Sequence, residues 1–327
     1  MSKFEVTASS GAAGVIDTIA SASVVALKNA SVLGRLVNRD IEGSFQHGTG
    51  ATVNVRKPTK FGAMNLDKDA DVTNSKLNEK LLPVVLDTHA YVSTLTNTWD
   101  NSVIVSDQNL QITLPQAAAV AVGDENSIEA RIAAELKRVI ASDGKGTDSK
   151  GKDAEEKALA KAIEHKEGDK FRDTLVKVDA HMNKNKVPLE GRRLVVSPEF
   201  RAEILMDDLF VKADSYGSAS LVQRGGETLN EMHMGNLLGF SVFLSPMIDG
   251  AVAFTRDAFT LALRVPAPMD GAVSGAVIDR DSGYGMRLTK AAVPNKLSTQ
   301  VSTDVLVGAT ILDADRCVGV KLTPKSR

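Results

Sequence analysis

The chain has 327 residues, 43% of them apolar and 24% charged, which suits a globular protein of one large domain or two ordinary ones. Its 39 Lys and Arg against 41 Asp and Glu give a net charge of −2, so no overall basic field attracts it to nucleic acid or an anionic membrane. The single cysteine, Cys317, excludes an internal disulfide, and no stretch approaches the roughly 18 apolar residues of a membrane span. We therefore expect a soluble protein made inside a cell.

The N-terminal region is predicted to be an arm. Residues 1–12 are small and polar, and from Gly14 onward the apolar residues Ile16, Ile19 and Leu27 recur roughly along one helical face. A short amphipathic helix of this kind has no core of its own. We expect it to bury its apolar stripe on a neighbouring surface.

A long projecting hairpin is predicted next. The segment GTGATVNVRKPTK alternates, with Val53 and Val55 on one side, which is typical of a strand with one covered face. The segment LLPVVLDTHAYVSTLT is rich in β-branched residues and is predicted to be the return limb. About 20 polar residues, 61–80, separate the two limbs, and such a segment cannot pack a core.

Two helices and a series of strands follow. One long helix is predicted from about Leu114 to Ala141, interrupted or softened at Gly123, and a second helix is predicted over the apolar stripe of Phe171, Leu175, Val178 and Met182. Short segments rich in Val, Leu and Phe and bounded by Gly or Pro then indicate strands: RRLVVSP, GFSVFLSP, AVAFTR, YGMRLTK and VGVKL. The pattern predicts an α+β fold with mixed sheets.

The charged segment between the two helices contains a near-match to a nucleotide-binding loop. Gly146–Asp153 reads GTDSKGKD, but Asp153 stands where the phosphate-binding pattern requires Ser or Thr. The residues before Gly146 are predicted to end a helix, whereas a phosphate loop follows a buried strand. A carboxylate at Asp153 would repel phosphate, so the segment is interpreted as a solvated linker.

No catalytic, cofactor-binding or metal-binding residues are predicted. The five histidines lack ligand spacing, and a single cysteine cannot form a Cys-x-x-Cys zinc site. The segment from Asp67 to Asn78 resembles a calcium loop in its first acidic positions, but Val72 replaces the required Gly and Asn78 the bidentate Glu. Cys317 is predicted to be a buried thiol in a strand.

Five ordered segments resemble those of tailed-phage major capsid proteins. They are LVNRDIEGSFQHGTGATVNVRKP, VPLEGRRLVVSPEFRAEIL, MGNLLGFSVFLSP, AVAFTRDAFTLALR and DVLVGATILDADRCVGV. Within them Gly235, Gly239, Phe240 and Val242 match one strand pair, and Phe254, Arg256, Asp257 and Ala258 match another segment. The resemblance covers most of residues 15–320 in the family's order.

The resemblance implies the Hong Kong 97-type capsid fold, with an N-terminal arm, an extended E-loop hairpin, a long spine helix, and peripheral and axial domains with mixed sheets. The implied parts are the arm at 1–45, the E-loop at 46–95, strand and spine helix at 96–142, a charged flexible insert at 143–170, axial and adjoining peripheral elements at 171–290, and C-terminal peripheral strands at 291–327.

The function implied is that of a structural subunit, not an enzyme, that self-assembles as pentamers and hexamers into an icosahedral head around double-stranded DNA. Implied partners are a scaffolding protein, a portal, a decoration protein and non-specifically contacted DNA, with assembly in the host cytoplasm and residence in the virion. An encapsulin-type nanocompartment shell and, more distantly, a soluble α/β NTPase are the alternatives. Because a projecting alternating hairpin leaves one apolar face uncovered, inter-subunit contacts are predicted at Val53, Val55, Val84 and Leu86.

Overall fold

The computed structural model describes residues 4–6, 32–44, 50–57, 63, 65, 74, 80–97, 108–123, 125–144, 159–166, 168–206, 233–269, 272–279 and 284–323. Within these ranges the chain forms four α-helices and fourteen strands in three sheets, which confirms the predicted α+β class. The predicted amphipathic helix from Gly14, the calcium-loop resemblance and the Gly146–Asp153 segment lie outside the described residues, apart from single positions.

The helices are α1 (Gln108–Val122), α2 (Ile128–Ile140), α3 (Phe171–Lys184) and α4 (Pro198–Met206). The strands are β1 (Phe4–Val6), β2 (Thr52–Lys57), β3 (Lys80–Val85), β4 (Thr88–Asn97), β5 (Ile163–Lys166), β6 (Arg192–Val196), β7 (His233–Leu237), β8 (Phe240–Leu244), β9 (Gly250–Thr255), β10 (Phe259–Arg264), β11 (Val273–Asp279), β12 (Gly285–Val293), β13 (Ser298–Ile311) and β14 (Cys317–Thr323). All five strands predicted in the C-terminal half are present, as β6, β8, β9, β12 and β14.

The longest strand, β13, organises one six-stranded sheet, here called the β13 sheet. The strands run in the order β1-β11-β12-β13-β10, and β4 also pairs with β13. Leu306 and Val307 pair with both β4 and β10, so these two strands lie on opposite sides of β13. The N-terminal part of β13 lies between β12 and β4.

The helices α1 and α2 pack on the β13 sheet, and the interruption predicted at Gly123 separates them, whereas the predicted start near Leu114 is wrong. The first helix begins at Gln108, before the predicted start near Leu114. It ends at Val122, and the second helix begins at Ile128. Ser127 caps α2 by accepting a hydrogen bond from the Ala130 N–H (3.1 Å), and its hydroxyl donates to the Gly123 carbonyl (2.6 Å). The predicted apolar stripe of α2, which includes Ile132 and Leu136, is buried as expected.

A second six-stranded sheet, here called the β9 sheet, has the order β5-β14-β9-β6-β8-β7. The helices α3 and α4 pack their apolar faces into one core with it, and all four residues of the predicted α3 stripe are buried. The predicted flexible insert at 143–170 includes a strand near its C-terminal end, because β5 pairs in parallel with β14. His165 in β5 is fully buried, and this fixes the strand in the core.

The predicted return limb of the hairpin is also corrected. It is not one strand but two, because β3 pairs with β2 whereas β4 pairs along ten residues with β13. Only Leu86 and Asp87 connect them, so the chain changes sheet within two residues. The projecting element is therefore the hairpin of β2 and β3, and β4 belongs to the large sheet.

Candidate functional site

The β2–β3 hairpin is the part of the molecule for which the sequence predicts contacts with other subunits. Its register pairs Val53 with Val84 and Val55 with Leu82, so these four side chains share one face, here called the inner face. The opposite, outer face carries Thr52, Asn54, Arg56, Leu81, Pro83 and Val85.

The inner face packs against the hairpin's own chain. Val84 is fully buried and forms a small cluster with Ala262 of β10, against which Val53, Val55 and Leu86 are half-buried. Val84 therefore has no exposed surface for a neighbouring chain. The other three predicted contact residues keep part of their surface, and their contact with a second subunit stays a prediction.

The outer face is apolar along β3, whereas its β2 half carries Thr52, Asn54 and Arg56. The apolar half was not among the predicted contact residues. Leu81 is 55% exposed and Val85 39% exposed, with Pro83 exposed between them. The signal was present in the sequence, because the letters LLPVV are apolar at every position and so predict a strand that needs cover on both faces. In the described part of the chain, nothing buries these two side chains.

The base of the hairpin lies directly on β13. A Cβ atom at Gly308 would stand 2.1 Å from the Val85 carbonyl oxygen, so only glycine permits this approach of β3 to β13. The Leu86 N–H donates to the Ala51 carbonyl (2.8 Å), which closes the base between the two limbs.

An ion pair joins this base to α2. Arg131 Nε donates to Asp87 Oδ1 (3.0 Å) and Nη2 donates to Oδ2 (2.9 Å), so the guanidinium holds both carboxylate oxygens. Partial burial acts to raise the pKa of Asp87, but the hydrogen bonds and charge of Arg131 outweigh it and hold the pKa below its ordinary value. Asp87 thus stays ionised at neutral pH.

A second segment from the N-terminal region docks on the same sheet. The N–H of Asn38 donates to the Phe259 carbonyl (3.0 Å) and the N–H of Leu261 donates to the Asn38 carbonyl (2.9 Å), so residues 32–44 follow β10. Leu33 and Leu36 are buried in the main core. The C-terminal part of the predicted arm is therefore held by its own chain.

A buried carboxylate holds the end of this segment. Glu42 accepts from Arg39 Nε (2.8 Å) and Nη2 (2.9 Å) and from the Leu263 N–H (3.2 Å). Burial raises the pKa of Glu42 above its ordinary value, although Arg39 and the Leu263 N–H act in the opposite direction.

The described residues do not assemble a metal centre, since they contain no group of three or more His, Cys, Asp or Glu side chains able to hold an ion. Cys317 is buried in β14, as predicted, and its thiol lies 3.6 Å from the Ala314 carbonyl. None of the helices in the described ranges is long and apolar enough to span a membrane.

Neither a family model nor a curated protein matches the chain. Solved structures do. A cyanophage P-SCSP1u capsid structure covers 91% of this chain and 90% of its own, with 11% identity and a TM-score of 0.61. The capsid of Ralstonia phage GP4 covers 90% of both chains, with 11% identity and a TM-score of 0.55. The mature capsid of bacteriophage PhiM1 covers 84% of this chain and 83% of its own, with 14% identity and a TM-score of 0.55.

The chain has the fold of phage capsid proteins. The likeness extends over most of both chains, so it takes in the two large sheets together. Identities of 11–14% mean that the backbone arrangement is shared while most side chains differ. The surface side chains of this chain are therefore largely its own.

Proposed function

We propose that the chain is the major capsid protein of a tailed phage, a structural subunit that self-assembles into a closed icosahedral head around double-stranded DNA. The observation that carries the proposal is the shared fold, which spans about nine tenths of this chain and of solved phage capsid chains. A protein that shared one sheet with them could serve another purpose. A chain that shares both sheets has the shape from which those shells are built.

The β2–β3 hairpin supports this proposal, because the β3 half of its outer face presents apolar side chains that the described part of the chain leaves exposed. An exposed apolar strand face costs free energy in water, roughly 25 cal/mol per Å², until another surface covers it. We propose that the outer face, with Leu81 and Val85, binds a second copy of the chain. The half-buried Val53, Val55 and Leu86 keep part of their surface for a further contact with another copy, and the buried Val84 supports the hairpin from inside.

Shell assembly follows from contacts of this asymmetric kind. A hairpin that binds a different surface on the next subunit makes a head-to-tail contact, and such contacts close into rings when the rotation permits. Pentamers and hexamers of the chain then curve into a shell. Scaffolding, portal and decoration proteins are further proposed partners, and the packaged DNA is contacted without sequence specificity. The proposed location is the virion, after assembly in the host cytoplasm.

The test is the size of the purified full-length chain, measured by size-exclusion chromatography with light scattering and by negative-stain electron microscopy. We expect capsomers or closed particles in the megadalton range. A monodisperse monomer or small oligomer, at every salt concentration and protein concentration at which the chain remains folded, would overturn the proposal. Circular dichroism of the same sample shows whether the chain is folded.

A further inference from the structure

The hairpin is attached to the molecule through a narrow base. Among the described strands, β2 and β3 pair only with each other, whereas β4 enters the β13 sheet immediately after the connection. That connection consists of Leu86 and Asp87. Isolated two-stranded hairpins are marginal in water, so the position of this one depends on contacts at its base.

Burial contributes little to holding the hairpin in one direction. In the cluster beneath its inner face only Val84 and Ala262 are fully buried, and the remaining members are half-buried. By contrast, the main core contains thirty-one buried residues, which come from both large sheets, from α1 and α2 and from neighbouring segments, so the sheets themselves are fixed. A few apolar contacts at a pivot permit rotation, because they are non-directional and can be exchanged for similar ones.

The Leu86–Ala51 hydrogen bond joins the two limbs of the hairpin, and Thr88 Oγ1 donates to the adjoining Asp87 Oδ1 (3.0 Å). Directional contacts that tie the pivot to α2 and β13 come from Arg131. Besides the two hydrogen bonds to Asp87, its Nη2 donates to the Ala309 carbonyl of β13 (3.0 Å) and its Nη1 to Glu135 of α2 (2.8 Å). A planar guanidinium that holds both oxygens of a carboxylate fixes orientation as well as distance. Arg131 therefore connects the helix, the long strand and the two-residue connection in a single geometry.

We propose that Leu86–Asp87 is a hinge and that Arg131 is the latch that sets the angle of the hairpin. Asp87 is 46% exposed on its side chain, so water and ions can replace its partner, and the latch can open without unfolding the core. Gly308 supplies the flat surface on which the base turns, because it places no side chain under Val85. With the latch open, the hairpin takes more than one angle while both large sheets stay folded.

The test measures the hairpin angle directly by pulsed electron paramagnetic resonance. Spin labels are placed at two exposed positions, Asn54→Cys on β2 and Ala134→Cys on α2, in the full chain, and Cys317 is buried and does not compete for the label. Labelled chains are diluted with unlabelled ones so that each distance lies within one chain. The latch variant is Asp87→Asn, and the matched control is Asp257→Asn, which removes a carboxylate from the exposed ion pair with Arg316 (2.8 Å).

We expect one narrow distance distribution in the parent chain and in Asp257→Asn, and a broadened or second population in Asp87→Asn. An unchanged distribution in Asp87→Asn would overturn the latch. Loss of folding in Asp87→Asn, detected by near-UV circular dichroism, would overturn it too, since a latch sets an angle and is not required for the core. The distance is measured within one chain, so the outcome does not depend on whether the chain forms shells.

Discussion

Two segments lie against the β13 sheet, and each carries a carboxylate paired with an arginine, but the two pairs differ in burial. Glu42 and Arg39 at the end of the N-terminal segment are 16% and 11% exposed on their side chains. Asp87 at the hairpin base is 46% exposed, and Arg131 is 18% exposed. The same chemistry gives opposite pKa shifts, raised for Glu42 and lowered for Asp87.

The difference separates a segment held by burial from one whose direction, in the proposed hinge, depends on an exposed ion pair. The N-terminal segment places Leu33 and Leu36 in the main core, where burial rather than charge holds it. The hairpin has a small apolar contact and relies on a water-exposed ion pair for direction. We infer that the first segment is part of the folded subunit, whereas the second is a device for contacts with other subunits.

The largest expected effect is on the N-terminal segment. Leu33→Ala removes a buried side chain that packs near α2, and lost transfer energy plus a residual cavity should cost about 2–5 kcal/mol of unfolding free energy. Urea titration followed by circular dichroism measures this cost. A change below about 0.5 kcal/mol, as at ordinary surface sites, would mean that the segment is not part of the core.

A smaller effect is expected at the hairpin base. Gly308→Ala forces a methyl group against the Val85 carbonyl, and overpacking of this kind typically costs about 1–3 kcal/mol. The hairpin should move away from β13 in the spin-label experiment. A variant with normal stability and a parental distance distribution would show that β3 does not rest on β13.

The pH dependence of stability should have opposite signs at the two anchors. Glu42 has a raised pKa when folded, so its contribution is fully present in acid and is lost as the pH rises through that raised pKa. Asp87 has a lowered pKa, so its contribution is present at neutral pH and is lost as the pH falls through that lowered pKa. The unfolding free energy is measured between pH 3 and 7. In Glu42→Gln its decrease with rising pH should disappear, and in Asp87→Asn its decrease with falling pH should disappear. Slopes of the same sign would contradict the comparison.

The smallest effect on stability is expected on the outer face. Leu81→Ser combined with Val85→Ser should change the unfolding free energy by only about 1 kcal/mol or less, because both side chains are already partly exposed to water. The same double variant should fail to form closed particles. Its matched control, Leu297→Ser, alters a side chain that is 74% exposed in the turn between β12 and β13, and we expect it to assemble.

The sequence predicted what depends on local periodicity. The four-residue stripe of α3 identified that helix because its apolar spacing fits one helical face. The start of α1 was missed, because Pro115 lies inside the helix whereas a proline is typical of a first helical turn, which favours a later start. The separation of β3 from β4 was missed as well, because both strands are rich in β-branched residues. Only the pairing of β4 with the distant strand β13 distinguishes them.

The sequence predicted the position of the candidate site, but only some of the contacts within it. The hairpin lies where alternation predicted it, yet the apolar letters of β3 do not reveal which face turns toward its own chain. Asp87 and Arg131 are 44 residues apart, and no local pattern indicates that they meet. Long-range contacts of this kind arise from the packing of β4 and α2 on one sheet.

The measurement that tests the account most directly is an electron cryomicroscopy reconstruction of the assembled particle. We predict that the outer face of each hairpin lies against a second copy of the chain, with Leu81 and Val85 in apolar contact and excluded from water. A closed shell in which these two side chains face solvent in every subunit would contradict the account.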